Sequence, residues 1–86
     1  MKRKLISLGE MLAARREQVG LTQLAMADAL GYSTAQFVSN WERNKAPVPP
    51  HQYRRISQLL GIPTRELIDH ACRDHRIELI KKVRTS

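Results

Sequence analysis

Apolar residues recur at helical spacing along most of the chain, and the polar residues between them mark where helices begin and end. In the first segment, the apolar positions that share one helical face are Leu8, Met11, Leu12 and Val19. Ser7 is followed three residues later by Glu10, the capping-box pattern in which each side chain satisfies the other residue's free backbone N–H. Gly20 closes the segment. The pattern therefore predicts a first helix over about 7–19.

Two shorter amphipathic segments follow, separated by a glycine turn. Thr22 is a favourable N-cap for a second helix, and Gly31 supplies its left-handed exit. Thr34 is the predicted N-cap of a third helix over 34–43, and Asn44 is suited to the left-handed position that ends it. The inward positions of these two helices are Met26, Ala27, Leu30, Val38 and Trp41.

Three prolines interrupt the helical pattern after Asn44. Residues 45–50 are predicted to form a loop, because proline removes backbone donors and biases its predecessor toward extended conformations. Pro50 fits the first turn of a fourth helix that ends at Gly61, and a fifth helix opens at Pro63 or Thr64. No segment has the alternation of a strand. The predicted fold is all-α: a compact five-helix bundle with an extended C-terminal helix.

Charge narrows the classes of partner. The chain has 86 residues with 15 Lys and Arg against 8 Asp and Glu, a formal net charge of +7. This balance favours an acidic polymer, either nucleic acid or an anionic membrane surface. No stretch approaches the roughly 18 apolar residues of a membrane span, and the apolar residues after the basic start are too few for a signal peptide. A single cysteine, Cys72, excludes an internal disulfide and indicates a reducing cytoplasm.

The glycine turn between the second and third helices has the residue types of a helix-turn-helix. Ala27 is small enough to let the third helix cross closely, Gly31 makes the turn, and Val38 fills the gap between the helices. Many helical hairpins share this pattern, so further blocks of sequence decide its meaning.

Four such blocks occur together, at 21–23 (Leu-Thr-Gln), 26–31 (Met-Ala-x-x-Leu-Gly), 38–44 (Val-Ser-Asn-Trp-Glu-Arg-Asn) and 59–62 (Leu-Leu-Gly-Ile). With these blocks the chain resembles the Cro/C1-type (XRE) helix-turn-helix family of phage and bacterial regulators over about 8–68. The resemblance implies a lambda repressor-like bundle whose third helix enters the DNA major groove, usually as a symmetric dimer. It also implies a sequence-specific regulator of transcription, most often a repressor, that reads an inverted repeat of double-stranded DNA.

The resemblance further implies roles for individual residues. The positions that face base edges are Ala35, Gln36, Phe37 and Asn40, and the phosphate-contacting positions are Gln23, Thr34, Arg43 and Lys45. Glutamine and asparagine can each form two hydrogen bonds with adenine N7 and N6. Phe37 could instead pack under Tyr32. Arg16 and Glu42 match the two positions that form a largely buried ion pair between the first and third helices.

One departure from the family concerns the turn. Residues 31–34 (Gly-Tyr-Ser-Thr) make it one residue longer than the commonest family form. An insertion here could tilt the third helix and move the base contacts by one position.

The ends of the chain leave alternatives open. We divide it into a basic arm over 1–6, a DNA-binding domain over 7–69 and a C-terminal extension over 70–86. The arm could follow DNA or simply solubilise the protein. In the last helix an apolar stripe runs through Ile68, Cys72, His75 and Leu79. The stripe could dimerise, or the helix could fold back on its own domain.

Other functional classes are weaker. His70, Cys72, Asp74 and His75 do not share one helical face, so we expect no metal, no cofactor and no catalytic site. An RNA-binding module lacks exposed aromatic residues for base stacking. The main alternative to a repressor is an antitoxin or anti-regulator that acts through a protein partner, using the C-terminal stripe and an exposed Leu24. In either role we expect a cytoplasmic protein associated with the nucleoid.

Overall fold

Helices make up most of the residues that the structure describes. The computed structural model describes residues 6–85. Most of the predicted basic arm over 1–6 therefore lies outside the described residues. The helices are α1 Leu8–Gln18, α2 Gln23–Ala29, α3 Gln36–Glu42, α4 Tyr53–Leu60 and α5 Thr64–Thr85, and a 3-10 turn at Pro50–Gln52 precedes α4. Residues 6–85 contain no strand. The all-α, five-helix prediction is confirmed.

The first two helices begin at the predicted side-chain caps. Ser7 Oγ accepts from the Glu10 N–H at 3.1 Å, and Thr22 Oγ1 accepts from the Ala25 N–H at 3.0 Å. The Glu10 carboxylate accepts from the Ser7 hydroxyl at 3.4 Å. The two backbone bonds use N–H donors that have no partner within the helix. The Glu10 carboxylate differs from the capping-box prediction, because it accepts from the Ser7 hydroxyl and not from the Ser7 backbone N–H.

The start of α3 differs from the prediction. The helix begins at Gln36, not at Thr34, and its cap position is Ala35, whose backbone is helical (φ −78°, ψ −2°) and whose side chain makes no capping bond. Thr34 still contributes, because its Oγ1 accepts from the Gln36 N–H at 3.3 Å. The turn therefore continues to Ala35, and α3 is only seven residues long.

Left-handed residues end the helices where the sequence predicts. Gly31 (φ 91°) follows α2, Asn44 (φ 59°) follows α3, and Gly61 (φ 67°) caps α4. The prediction for Val19 is wrong. We predicted it on the apolar face of a helix over 7–19, but α1 ends at Gln18 and Val19, at the C-cap, is 40% exposed. The helix ends before this position reaches the core.

The core lies where the five helices meet. All five inward residues predicted for α2 and α3 are buried, with Met26, Ala27 and Val38 fully inaccessible. The remaining buried apolar residues come from α1, α4, α5 and the segments before α4 and α5: Leu8, Leu12, Val48, Ile56, Leu60, Ile62 and Leu67. The buried face of α3 packs against α1 and α2, and the opposite face is directed toward solvent.

The first part of α5 folds back onto α1. Leu67 is buried, and the Asp74 carboxylate accepts from the Leu8 N–H at 2.9 Å, at the start of α1. Arg73 donates to the carbonyl of Ile6 at 3.3 Å. The contacts with the domain therefore continue beyond residue 69, within one unbroken helix. Beyond Asp74 the exposed apolar residues are Ile77, Leu79, Ile80 and Val83.

Candidate nucleic-acid interface

Three polar side chains form a hydrogen-bonded row on the outer face of α3. Gln36, Asn40 and Arg43 are four and then three residues apart, so they lie on one side of the helix. Gln36 Nε2 donates to Asn40 Oδ1 at 2.9 Å, and Arg43 Nη2 approaches the same oxygen at 3.4 Å. The structure thus brings two of the predicted base-reading residues and one predicted phosphate contact onto a single surface.

Aromatic rings connect the turn to this surface. Phe37 is 50% exposed, and its ring stacks on Tyr32 with centroids 4.5 Å apart. Tyr32 in turn meets the buried Trp41 edge to face at 5.7 Å, and its hydroxyl accepts from Gln52 Nε2 at 3.1 Å. Phe37 therefore both packs on Tyr32 and leaves part of its ring open beside Gln36. Ala35 sits at the helix cap and offers only a methyl group.

An ion pair anchors α3 to α1. Arg16 Nε donates to Glu42 Oε2 at 2.7 Å, and Arg16 Nη2 donates to Glu42 Oε1 at 3.1 Å, with side chains 11% and 6% exposed. Arg16 Nη1 also donates to the Leu21 carbonyl at 2.7 Å. The hydrogen bond with Glu42 raises the pKa of Arg16, although burial acts in the opposite direction. The pair is bidentate and ionised, the strong form of a carboxylate–guanidinium contact.

The predicted phosphate contacts lie at the two ends of this surface. Gln23 is the first residue of α2, and its side chain donates to Glu42 Oε1 at 2.9 Å. Thr34 is exposed in the turn, while Arg43 and Lys45 flank the left-handed Asn44 at the exit of α3. The Lys45 N–H donates to the Asn40 carbonyl at 2.8 Å, which fixes the backbone of this exit.

Gly9 is a site determinant that our sequence analysis missed. It is buried in α1 directly against the end of α3. A Cβ added there would overlap the Trp41 carbonyl oxygen and would lie 2.7 Å from Asn44 Oδ1. The sequence signal is an isolated glycine inside a helical pattern, which costs about 1 kcal/mol relative to alanine. Gly9 lets the backbones of α1 and α3 approach closely.

Residues 6–85 contain no group of three or more His, Cys, Asp or Glu side chains placed to hold a metal ion. His70 instead makes a 2.7 Å contact with Arg73 through its Nδ1. Within the same described part of the chain, no helix is long and apolar enough to cross a membrane.

Comparison with known families gives one match. The helix-turn-helix family model HTH_3 matches residues 12–67, from within α1 to the start of α5. No significant match to a curated protein or to a solved structure was found. The matched region includes α2, the turn and α3, and it ends before the exposed apolar part of α5.

Proposed function

The chain belongs to the Cro/C1-type (XRE) helix-turn-helix family of DNA-binding regulators, and from this premise we propose that it represses transcription by binding a specific double-stranded sequence. The observation that carries the proposal is the two-sided character of α3. Val38 and Trp41 fix one side in the core, with 0% and 2% exposure, while on the polar side Gln36 and Arg43 are exposed and Asn40 is half-buried. A helix held this way can enter the major groove without reorganising the domain.

Within this proposal, α3 reads bases and its neighbours hold the DNA backbone. Gln36 and Asn40 offer amide groups to base edges, Phe37 offers an apolar face to a thymine methyl, and Ala35 leaves space at the helix start. Thr34 and Lys45 flank the helix as phosphate contacts, joined by Gln23 at the start of α2. Phosphate contacts set the register of the protein on the duplex, whereas base contacts select the sequence. This activity requires no cofactor, metal or catalysis, and it operates on the nucleoid in the cytoplasm.

The base-reading assignment is tested by comparing Gln36→Ala with Lys45→Ala. We expect Gln36→Ala to lower discrimination at one base pair by about 1–3 kcal/mol. Lys45→Ala should instead weaken binding to all duplexes alike and reduce the slope of log K against log salt by about one unit. The measurements are titrations of a preferred and a scrambled duplex at several salt concentrations. Unchanged discrimination in Gln36→Ala contradicts the assignment of α3.

We also propose that the protein binds as a homodimer through the end of α5. This segment lies outside the family match, follows Asp74, which bonds to the start of α1, and carries Leu79 and Ile80 at 50% and 44% exposure. One copy of α3 reads only a few base pairs. Two copies related by a two-fold axis would read both halves of an inverted repeat.

The dimer is tested with Leu79→Glu, which leaves the contacts of Leu67 and Asp74 with the domain intact. We expect sedimentation to show half the mass of the native protein and DNA binding to lose its preference for paired half-sites, because a carboxylate in an apolar contact is costly to bury. Lys81→Gln would lower the net charge by the same one unit on a different side of the helix and serves as the control. An unchanged mass for Leu79→Glu shows that this face does not dimerise.

A second function is favoured by one observation. Leu24 on α2 is 57% exposed, which adds an apolar contact point to the exposed end of α5. These two features would suit an antitoxin or anti-regulator that works through a heterologous protein. Isolation of the native protein in a stoichiometric complex that Leu24→Gln disrupts would support this function over the homodimeric repressor.

A further inference from the structure

Arg43 lies on the same face of α3 as the base-reading amides, although the sequence suggests a phosphate contact. Its guanidinium is directed back along the helix toward Asn40, with Nη2 3.4 Å from Asn40 Oδ1. That oxygen already accepts from Gln36 Nε2 at 2.9 Å, so Gln36 and Arg43 share one acceptor on Asn40. The side chain thus follows the helix surface that we assign to the groove.

The nearest carboxylate does not draw Arg43 away from this surface. Glu42 precedes Arg43 in the chain but points inward, and both of its oxygens are occupied. Oε2 accepts from Arg16, and Oε1 accepts from Arg16 and Gln23. Arg43 is itself exposed, so most of its donors face solvent.

From this arrangement we propose that Arg43 reads a guanine, donating to N7 and O6 in the major groove, and that Asn40 positions it. The inference rests on the proposed binding of duplex DNA by α3. An arginine fork matches the two acceptors of guanine, and this pairing is the commonest specific contact between proteins and DNA. The contact with Asn40 Oδ1 directs the Arg43 guanidinium along the outer face of α3. Because 3.4 Å is long for a hydrogen bond, the contact is weak, and the guanidinium can exchange it for a contact with a base.

The geometry also limits where this guanine lies. Gln36 and Arg43 are seven residues apart, a rise of about 10.5 Å along the helix. Stacked base pairs are about 3.4 Å apart. The backbones of the two residues are therefore separated by about three base-pair steps, so we expect the guanine within a few base pairs of the base that Gln36 reads.

The test compares the full-length protein with Arg43→Lys in selection from random duplex DNA. Lysine keeps the positive charge but cannot form the two-pronged contact. We expect the variant to lose its preference for guanine at one position by about 5- to 100-fold, while the other preferred positions stay the same. Arg65→Lys, an exposed change on α5, is the matched control and should select the same sequence as the native protein.

A chemical probe distinguishes guanine reading from an indirect effect. Replacing the selected guanine by 7-deazaguanine removes the N7 acceptor and should weaken the native protein about 10-fold. The same replacement should have little effect on Arg43→Ala, which no longer makes the contact. Asn40→Ala should relax the guanine preference as well as the preference at its own position, an effect that loss of stability alone would not produce.

Each outcome decides the inference. If Arg43→Lys selects the native sequence unchanged, Arg43 does not read a guanine and the inference is wrong, while the proposed DNA-binding function stands. If the native protein selects no sequence from the duplex pool, both the inference and the proposed sequence specificity are wrong.

Discussion

Replacing Glu42 by alanine should lower the free energy of unfolding by about 3–5 kcal/mol, a loss expected when one partner of a buried ion pair is removed. The reason is the position of Arg16, which is 11% exposed and donates to both Glu42 oxygens at 2.7 and 3.1 Å. Without Glu42 its guanidinium remains charged and buried, and Gln23 also loses an acceptor. Chemical denaturation followed by circular dichroism measures the change.

The control for this prediction uses the second acid near the same guanidinium. Glu17 lies 3.8 Å from Arg16 Nη2, but its side chain is 73% exposed. An exposed pair of this kind contributes about 0–1 kcal/mol, so Glu17→Ala should be close to neutral. Equal effects of Glu17→Ala and Glu42→Ala would contradict the ion pair as the anchor of α3. The double variant Arg16→Met, Glu42→Met should recover much of the stability, because it removes both buried charges together.

The second large effect is expected at Gly9. Helix propensity alone would make Gly9→Ala stabilising by about 1 kcal/mol. The structure predicts the opposite sign, because the new Cβ would overlap the Trp41 carbonyl oxygen and crowd Asn44. Backbone atoms cannot rotate away as a flexible side chain can, so α1 and α3 must separate. We expect a loss of about 3 kcal/mol, the upper part of the usual range for overpacking.

Ala14→Gly provides the reference within the same helix. Ala14 is exposed on α1, so its replacement measures helix propensity alone and should cost about 1 kcal/mol. Thermal or denaturant unfolding of both variants gives the comparison. A Gly9→Ala protein more stable than the native one would show that α1 and α3 are not in close backbone contact.

The outcomes for individual helix boundaries show which local signals are reliable. Ser7 and Thr22 cap α1 and α2 as predicted, because a hydroxyl and a free N–H three residues apart are sufficient for that contact. Thr34 looks equally suitable, yet α3 begins at Gln36. Thr34 Oγ1 accepts from the Gln36 N–H instead, within a turn where the Tyr32 ring stacks on Phe37. Capping chemistry is local, whereas the path of a long turn is decided by its packing.

The candidate site also combines features that local sequence predicts with features that depend on packing. The spacing of Gln36, Asn40 and Arg43 places them on one helical face, which helix geometry alone predicts. Their shared acceptor at Asn40 Oδ1 depends on rotamers, and rotamers depend on which neighbours are already engaged. Helix geometry therefore predicts the shared face, whereas the inward turn of Glu42, which leaves Arg43 exposed beside Asn40, becomes visible only in the packed structure.

Local sequence is sufficient to predict an all-helical bundle with a helix-turn-helix, because helical periodicity, caps and left-handed residues act over a few neighbouring positions. The packing of the helices determines how α1 meets α3 at Gly9, how Asp74 ties α5 to the start of α1, and how Glu42 turns inward at the end of α3 while Arg43 stays exposed. These features join residues far apart in the chain. Their energies depend on distances that no local pattern specifies, so they become visible only once the helices are packed.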